Sequence, residues 1–559
     1  MKAGIGLGAI LLVIVEIIII GAGFLELRKN QTVDSNIISQ DASVAQYDNL
    51  YDSPQQFMFG IYNANKNVSP PADYRIRAVI VPHHITATTA IASGIRMLQN
   101  QSFSNIILVS PDHFNHCAKI FCTINARYST LFGDVRSSPD TVKSLLASSL
   151  AGEDAGLFEN EHGIYSVLPY IANYFPRVTV TPIALSQYLS WDTFHKEEFL
   201  RLLRDVINED TILMISSDFS HYLSYDEAEQ MDEETARVIF SKDLEGIVQL
   251  KNPEQSDCPN CLWLLAALAD ERGFYNPSVV LHTNSATILE EPDVSRTTSH
   301  FSMVWYEDSQ LDSSDFAVGG DVTLTRSNKA PKVSESVMNW WVGKGTRALN
   351  LEGPLATNCK ISGNPYIFCN LDTKWKMIKD LATHWVVMNN HMWDRGGIGF
   401  EETMRLLKEG GKVAITDELI EDDLVRYIAF SAVMNPVAQN YSGIASNSED
   451  RVIQELKNNP SDKLTIVFVH AGKEYSALSS GYEEKLYERL VDVGADAVVV
   501  GHAHVAGDVY LYKNKPIFRG VGNFMFDQYD KKATSTVKMI RLRKSDERVL
   551  FQTMITPMF

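Results

Sequence analysis

The chain has 559 residues, 45% hydrophobic and 21% charged, which makes it a folded protein with too much apolar surface for a single core; two or more domains are expected. Its 69 acidic against 50 basic residues leave a formal charge of -19, which repels a phosphate backbone. With Lys and Arg scattered and no zinc-finger or aromatic RNA-binding signature, no nucleic acid partner is expected.

Residues 1–29 contain a nearly unbroken apolar run, Ala3 to Phe24, interrupted only by Glu16. As a helix rising about 1.5 Å per residue it spans a bilayer core, so a single-pass transmembrane anchor is expected. A cleaved signal peptide is the alternative, since Gly21, Ala22 and Gly23 supply small residues. Lys2 lies on one flank and Arg28 and Lys29 on the other, so orientation is poorly specified. The expected location is the cell membrane, with the soluble domains extracytoplasmic. Residues 30–72 are polar, with Pro70-Pro71 near the end, and read as a tether.

The first domain, residues 73–306, alternates strand and helix signals: Ile76 to Val81, a helical stretch to Leu98, Asn105 to Val109, and Thr211 to Ile215. A polar linker, 307–315 (Glu307 to Asp315), separates it from a second α/β domain, 316–559. There Phe316 to Val318, Trp385 to Met388, Leu464 to Val469 and Ala495 to Val500 read as buried strands, and the helix Glu401 to Glu409 ends at Gly410-Gly411. The six cysteines form three short-range couples, Cys117 with Cys122, Cys258 with Cys261 and Cys359 with Cys369, a spacing that suits an oxidising compartment. Six separate buried thiols are the alternative.

Polar groups recur at the ends of the second domain's strands, where an open α/β sheet places its ligand crevice. They are Asp321, then Asn350 and Glu352, Asn389-Asn390-His391 with Asp394, His470 with Glu474, and His502 with His504. Carboxylate, amide and imidazole donors together suit Mn, Fe or Zn rather than Mg or Ca, and two such ions can clamp a phosphoryl group. His502 and His504 reach one ion only if the backbone leaves regular strand geometry there, which Gly501 permits.

From Phe316 to about Asp527 this segment resembles the CapA family of poly-γ-glutamate and capsule synthesis proteins, related to calcineurin-type metallophosphoesterases. The matching stretches are GDV, NLEGP, NNHMWDRGGIGFEET, HAGKEY, GHAHV and GNFMFD, the last with Asn523 and Asp527. The resemblance implies a four-layer αββα metallophosphatase-like sandwich. It also implies metal roles for Asp321, Glu352, Asn390, His391, His470, His502 and His504, with Asp321, Glu352, His391 and His470 as catalytic candidates. The Asp-x-His opening of true metallophosphoesterases is absent, because Thr323 stands two residues after Asp321.

In the first domain, strands run into Pro82-His83-His84, Ser110-Pro111-Asp112-His113 and Ser216-Ser217-Asp218-Phe219-Ser220-His221, with Glu161-His162 and Cys258 as further candidates. Two imidazoles, a thiolate and a nearby carboxylate suit Fe, Cu or Zn. The stretches VPHH, LVSPDHF, EHGIYSVLPYI, SSDFSHY and SDCPN resemble the Memo family, called AmmeMemoRadiSam system protein B in prokaryotes, over Arg77 to roughly Trp305. That family is similar in fold to class III extradiol dioxygenases. The resemblance implies a metal on His83, His113 and Cys258, with Asp218 and His221 as acid or base. Pro259 replaces the family's glycine after the cysteine, and a bond between Cys258 and Cys261 would remove the thiolate ligand.

These residues lead to three expectations. The chain is an anchored, metal-dependent hydrolase of phosphoesterase type in capsule or poly-γ-glutamate-type polymer synthesis, with an envelope polymer or other envelope-synthesis proteins as partners. Alternatively it binds such a polymer or partner without turnover. A third possibility is non-heme iron oxidoreductase chemistry in the first domain.

Overall fold

The computed structural model describes residues 44–187, 189, 191–274, 276–291, 296–307, 314–325, 335–341, 345–359, 364–433, 448–526, 536–545 and 548–557. The apolar run 3–24, most of the 307–315 linker and Asp527 lie outside the described residues. Among the described residues, no helix is long and apolar enough to cross a membrane. Residues Ala45–Phe559 form one compact unit of mixed α/β structure.

The N-terminal half is built on a nine-stranded sheet. At its centre four adjacent strands run parallel, in the order Ile76–Val81, Thr211–Ser216, Asn105–Pro111 and Thr179–Leu185. Their β-branched and aliphatic residues are buried on both faces, as expected for parallel strands covered by helices. Val79, Val81, Ile106 and Leu108 join one core with Ile91 and Ile95, while Ala78, Ile80, Ile107 and Val109 join another with Leu262, Leu265 and Leu268. Because the strands are parallel, their C-terminal ends share one edge, and His83, His113 and Asp218 follow directly from three of them.

The C-terminal half contains two sheets of seven and six strands. The first has Thr346–Leu351 and Phe316–Val322 at its centre; the second is built around Val425–Ser431, Leu464–His470 and Ala497–Gly501. The inner faces meet through Phe316, whose ring centroid lies 5.7 Å from Tyr427 and 6.2 Å from Phe468. Trp375 and Leu407, from the helices Asp372–Ile378 and Gly396–Glu409, cover the outer face of the first sheet around Trp385. Val452, Leu456, Leu486 and Leu490 cover the second over Val467 and Val498. The order of layers is helix, sheet, sheet, helix.

The helix expected over 401–409 begins earlier, at Gly396, and stops where Gly411 takes φ +65°, a left-handed position that Gly adopts without steric penalty. The expected tether over 30–72 is corrected more substantially. It carries a strand, Ala45–Tyr47, paired in parallel with Ala126–Thr130, and a helix, Pro54–Asn67. That helix buries Phe57, Gly60 and Ala64, and a Cβ on Gly60 would meet Thr88 O at 2.4 Å, so the glycine lets it lie directly against the helix Thr88–Arg96. Of its large apolar residues only Phe57 is fully buried, while Phe59 and Tyr62 are exposed, so they mark no single apolar stripe.

All three cysteine couples are disulfides. The two halves meet along a seam. Tyr74 Oη donates to Val549 O at 2.6 Å and its ring lies 5.3 Å from Phe551. Val279 N donates to Asp508 Oδ2 at 2.8 Å. Glu233 accepts from Ser476 Oγ and, at 3.0 and 3.3 Å, from the backbone N–H groups of Ala477 and Leu478.

If the helix Pro54–Asn67 is part of the core, Phe57→Ala destabilises the protein by roughly 3 kcal/mol, the scale of a truncated buried aromatic. A urea midpoint that does not move would show that this helix is peripheral.

Candidate metal centres

In the N-terminal half, hydrogen bonding sets the tautomers of both histidines. Ser216 Oγ donates to Gly163 O at 2.6 Å, so at 3.1 Å from His83 Nδ1 it must accept, which makes Nδ1 the protonated nitrogen. His83 Nε2 then presents its lone pair to Asp257 Oδ2 at 3.0 Å and Asp218 Oδ2 at 3.4 Å. His113 Nδ1 lies 2.6 Å from the buried carboxylate of Glu161, so its Nε2 likewise faces Asp257 Oδ2, at 3.7 Å. A lone pair aimed at a carboxylate is repulsive unless a proton or a metal ion sits between them, and a carboxylate behind the far nitrogen is the usual way of orienting a ligand histidine.

The charges follow from the same geometry. Burial lowers the His83 and His113 imidazoles, but Asp218 and Asp257 outweigh it at His83, and Asp257 and Glu161 raise His113 to about 10. Burial raises the Asp218 carboxyl, yet His83 and His300 bring it down to about 2; Asp257 is held low against the same penalty by His83 and His113. Burial together with the two neighbouring imidazoles lowers His162 to about 4. Asp257 is fixed by Ser217 Oγ at 2.7 Å, and Asp218 by His300 Nδ1 at 2.8 Å and His84 N at 3.0 Å. Two overlapping groups can hold an ion, His83–His113–His162 and His83–Asp218–Asp257, the ligand atoms of each lying within 4.8 Å of one another. They open into a cavity of about 630 Å³, which His221 also lines without joining either group.

Cys258, expected as the third ligand, is bonded to Cys261 and offers no thiolate. The residue before it, Asp257, takes the place facing the two histidines. Asp257 and His300 were missed from the sequence. Asp257 sat unread inside SDCPN, and His300 lies within the strand Thr297–Tyr306 rather than at a strand end.

In the C-terminal half Asp321 ends one strand, Glu352 follows another, and His470 ends a third. Asn350 Nδ2 donates to Asp321 Oδ1 at 2.8 Å, and Asp321 Oδ2 lies 3.2 Å from His504 Nδ1. Glu352 Oε1 lies 3.7 Å from His504 Nε2 and 3.9 Å from His391 Nε2. Both Glu352 oxygens are buried without a hydrogen-bond partner among the described residues. Asp321, Glu352 and His504 form a third group whose ligand atoms lie within 4.8 Å. Beside it, His470 Nε2 lies 2.9 Å from Asn390 Oδ1, and the His470 and His502 ring centroids are 4.9 Å apart.

The backbone departs from strand geometry where the sequence requires it to. The strand ends at Gly501, and His502 and His504 take φ +91° and +59°, conformations that side-chain-bearing residues keep only when the surroundings impose them. A Cβ on Gly501 would lie 3.1 Å from Asp321 Oδ1, so the glycine makes room for the carboxylate. Burial, with the neighbouring imidazoles, keeps His470 well below its ordinary range and His502 at about 4, so both are neutral and suited to ligation. Burial would also lower His504, but Glu352 and Asp321 raise it to about 9. The Glu352 carboxyl is pushed well up by burial and by Asp321. His391 is oriented from behind: its ring stacks on Phe368 at 3.7 Å and Nδ1 lies 2.7 Å from Asp394 Oδ2. Thr323, where a metallophosphoesterase carries histidine, lies 3.2 Å from Asn370 Oδ1 and supplies no imidazole.

Comparison with known proteins agrees with both halves. The family model "Memo-like protein" matches residues 47–262, and "Bacterial capsule synthesis protein PGA_cap" matches 425–528. The chain is 27% identical over 196 residues to the capsule biosynthesis protein CapA of Bacillus anthracis, covering 29% of this chain and 44% of that protein. It is 24% identical over 206 residues to the MEMO1 family protein PAE0818 of Pyrobaculum aerophilum, covering 36% of this chain and 72% of that protein. It therefore spans less than half the length of the CapA relative. A hypothetical protein from Thermus thermophilus, of solved structure, matches 44% of this chain and 99% of its own at 12% identity and a TM-score of 0.28. The chain thus joins a Memo-like segment to a segment similar to the PGA_cap family.

Proposed function

We propose that this protein is a metal-dependent phosphoester hydrolase or transferase of cell-envelope polymer synthesis, acting through its C-terminal centre on a capsule or poly-γ-glutamate-type pathway. The observation that carries the proposal is Glu352, a buried carboxylate with neither oxygen hydrogen-bonded among the described residues, set between the imidazoles of His391 and His504. Such a group needs a proton or a cation. Asp321, Glu352 and His504 would hold one divalent ion, Mn, Fe or Zn by donor type, and Asn390, His470 and His502 would hold a second beside it. When bound, such ions supply an activated water and neutralise a phosphoryl oxygen. His391, oriented by Asp394 and Phe368, is placed to give a proton to the leaving oxygen.

In the N-terminal centre His83 and His113, whose Nε2 atoms lie 3.0 and 3.7 Å from Asp257 Oδ2, would make with it a two-histidine, one-carboxylate set across the two groups, which suits Fe or Zn, with Asp218 beside it as acid or base. Three disulfides fit an exported, oxidising location, and the run Ala3 to Phe24 would anchor the chain to the cell membrane. A second reading, a metal-dependent binding module without turnover, is favoured by Thr323 in place of the missing histidine.

Metal analysis of the full chain with a generic phosphodiester assay separates the two. His502→Ala and His83→Ala each lose about one metal equivalent, and only His502→Ala abolishes hydrolysis. Metal loss without activity in any form favours the binding module; unchanged metal in both variants removes both centres as drawn.

Glu352 also makes a pH prediction. With its folded carboxyl raised above the ordinary 4.5, its contribution to stability is complete below that value and is lost as pH rises through the folded value. Chelator-treated wild type therefore melts lower at about pH 8 than at about pH 5.5. Glu352→Gln narrows that gap while failing to take up metal. An equal gap in both proteins would mean that Glu352 is not the buried group responsible.

A further inference from the structure

The helix Tyr225–Phe240, which follows the loop and short strand after Asp218, lays Glu229, Asp232 and Glu233 along one face, at the spacing that makes helix residues neighbours. Asp232 is fully buried. Among the described residues no Lys or Arg forms an ion pair with any of the three. Among the described residues the basic partner of Asp232 is His282, from the strand Asn276–Asn284, whose Nε2 lies 2.8 Å from Asp232 Oδ2 and whose ring stacks on Phe301 at 4.0 Å. One oxygen from each of Glu229 and Asp232 and a ring nitrogen of His282 lie within 4.8 Å of one another. Ser220 Oγ donates to Asp232 Oδ1 at 2.5 Å and Asn284 Nδ2 to Glu229 Oε1 at 3.1 Å, so the carboxylates are aimed from behind, as metal ligands are.

A second observation comes from the strand partners. His282 stands opposite Phe301 and Asn284 opposite Ser299, so Ser299 shares the cluster's face of the sheet. Its hydroxyl is fully buried and has no hydrogen-bond partner among the described residues. Two carboxylates sharing a single imidazole, with a buried unsatisfied hydroxyl on the same face of the sheet, make a pocket short of positive charge.

We propose that Glu229, Asp232 and His282 form a further divalent-cation site, separate from both centres above, that takes Zn²⁺ or Mn²⁺. Two carboxylates and one imidazole select such an ion over a purely oxygen-seeking one. Its position gives it a structural task. The next residue on the helix, Glu233, grips residues 476–478, the loop that follows His470 and Glu474 of the C-terminal domain. The ion ties that helix to the strand Asn276–Asn284 at the seam between the halves.

The full chain, stripped with chelator and dialysed against Zn²⁺, tests this. Glu229→Gln, isosteric and only half-buried, and His282→Gln each bind one Zn²⁺ fewer than wild type; the other two centres contribute equally to wild type and variants, so the difference stands however they fill. In the wild type, Zn²⁺ also protects His282 from acylation by diethyl pyrocarbonate, read by peptide mass mapping, a measurement that needs no variant. The proposal is overturned if folded variants bind as much Zn²⁺ as wild type, or if His282 is labelled equally with and without the ion.

Discussion

Burying like charge at the ends of strands is the constraint on which this molecule turns. In the C-terminal half the ends of two buried apolar strands bring Asp321 and Glu352 together out of water, and Glu352 receives no hydrogen bond among the described residues. A protein interior tolerates that only when a cation or proton completes the site. The local features follow from it. Gly501 omits a side chain so that Asp321 can come close, His502 and His504 accept left-handed backbone, and His470 is kept neutral. The strain is local, while the compensation comes from the packed layers beneath.

The N-terminal half meets the same constraint with a different solution. There the acids are Asp218 and Asp257, and two histidines whose far nitrogens are committed to Ser216 and Glu161 turn their lone pairs toward them. The disulfide beside Asp257 removes a soft sulfur donor and leaves nitrogen and oxygen. The donor set is therefore harder than two histidines and a thiolate.

The strands were legible because Ile76 to Val81, Asn105 to Val109 and Leu464 to Val469 are apolar runs buried on both faces, and each ends in or leads directly to chemistry-bearing residues. Asp321, Glu352, His470, His502 and His504 could be gathered for that reason, although nothing in their spacing gives the distances between them. Other residues were hidden by their settings. Asp257 was overshadowed by the cysteine next to it, His300 sits mid-strand, and Glu229 with Asp232 reads as one more solvated helix face until the sheet brings His282 against it. The helix Pro54–Asn67 was hidden within a polar stretch, because its apolar residues are split between buried Phe57 and exposed Phe59 and Tyr62 and its close contact is made through Gly60.

The seam between the halves bears on how such a fusion arises and how it can be handled. Tyr74 is buried against Phe551 and bonded to Val549, Asp508 holds a strand of the opposite half, and Glu233 secures the loop beyond His470. Separating the halves would strip buried Tyr74 of its cover and release the loop that follows His470. The pair is not a set of interchangeable cassettes on a string: each domain has become part of the other's scaffolding, and divergence in one is answerable to the surface of its neighbour.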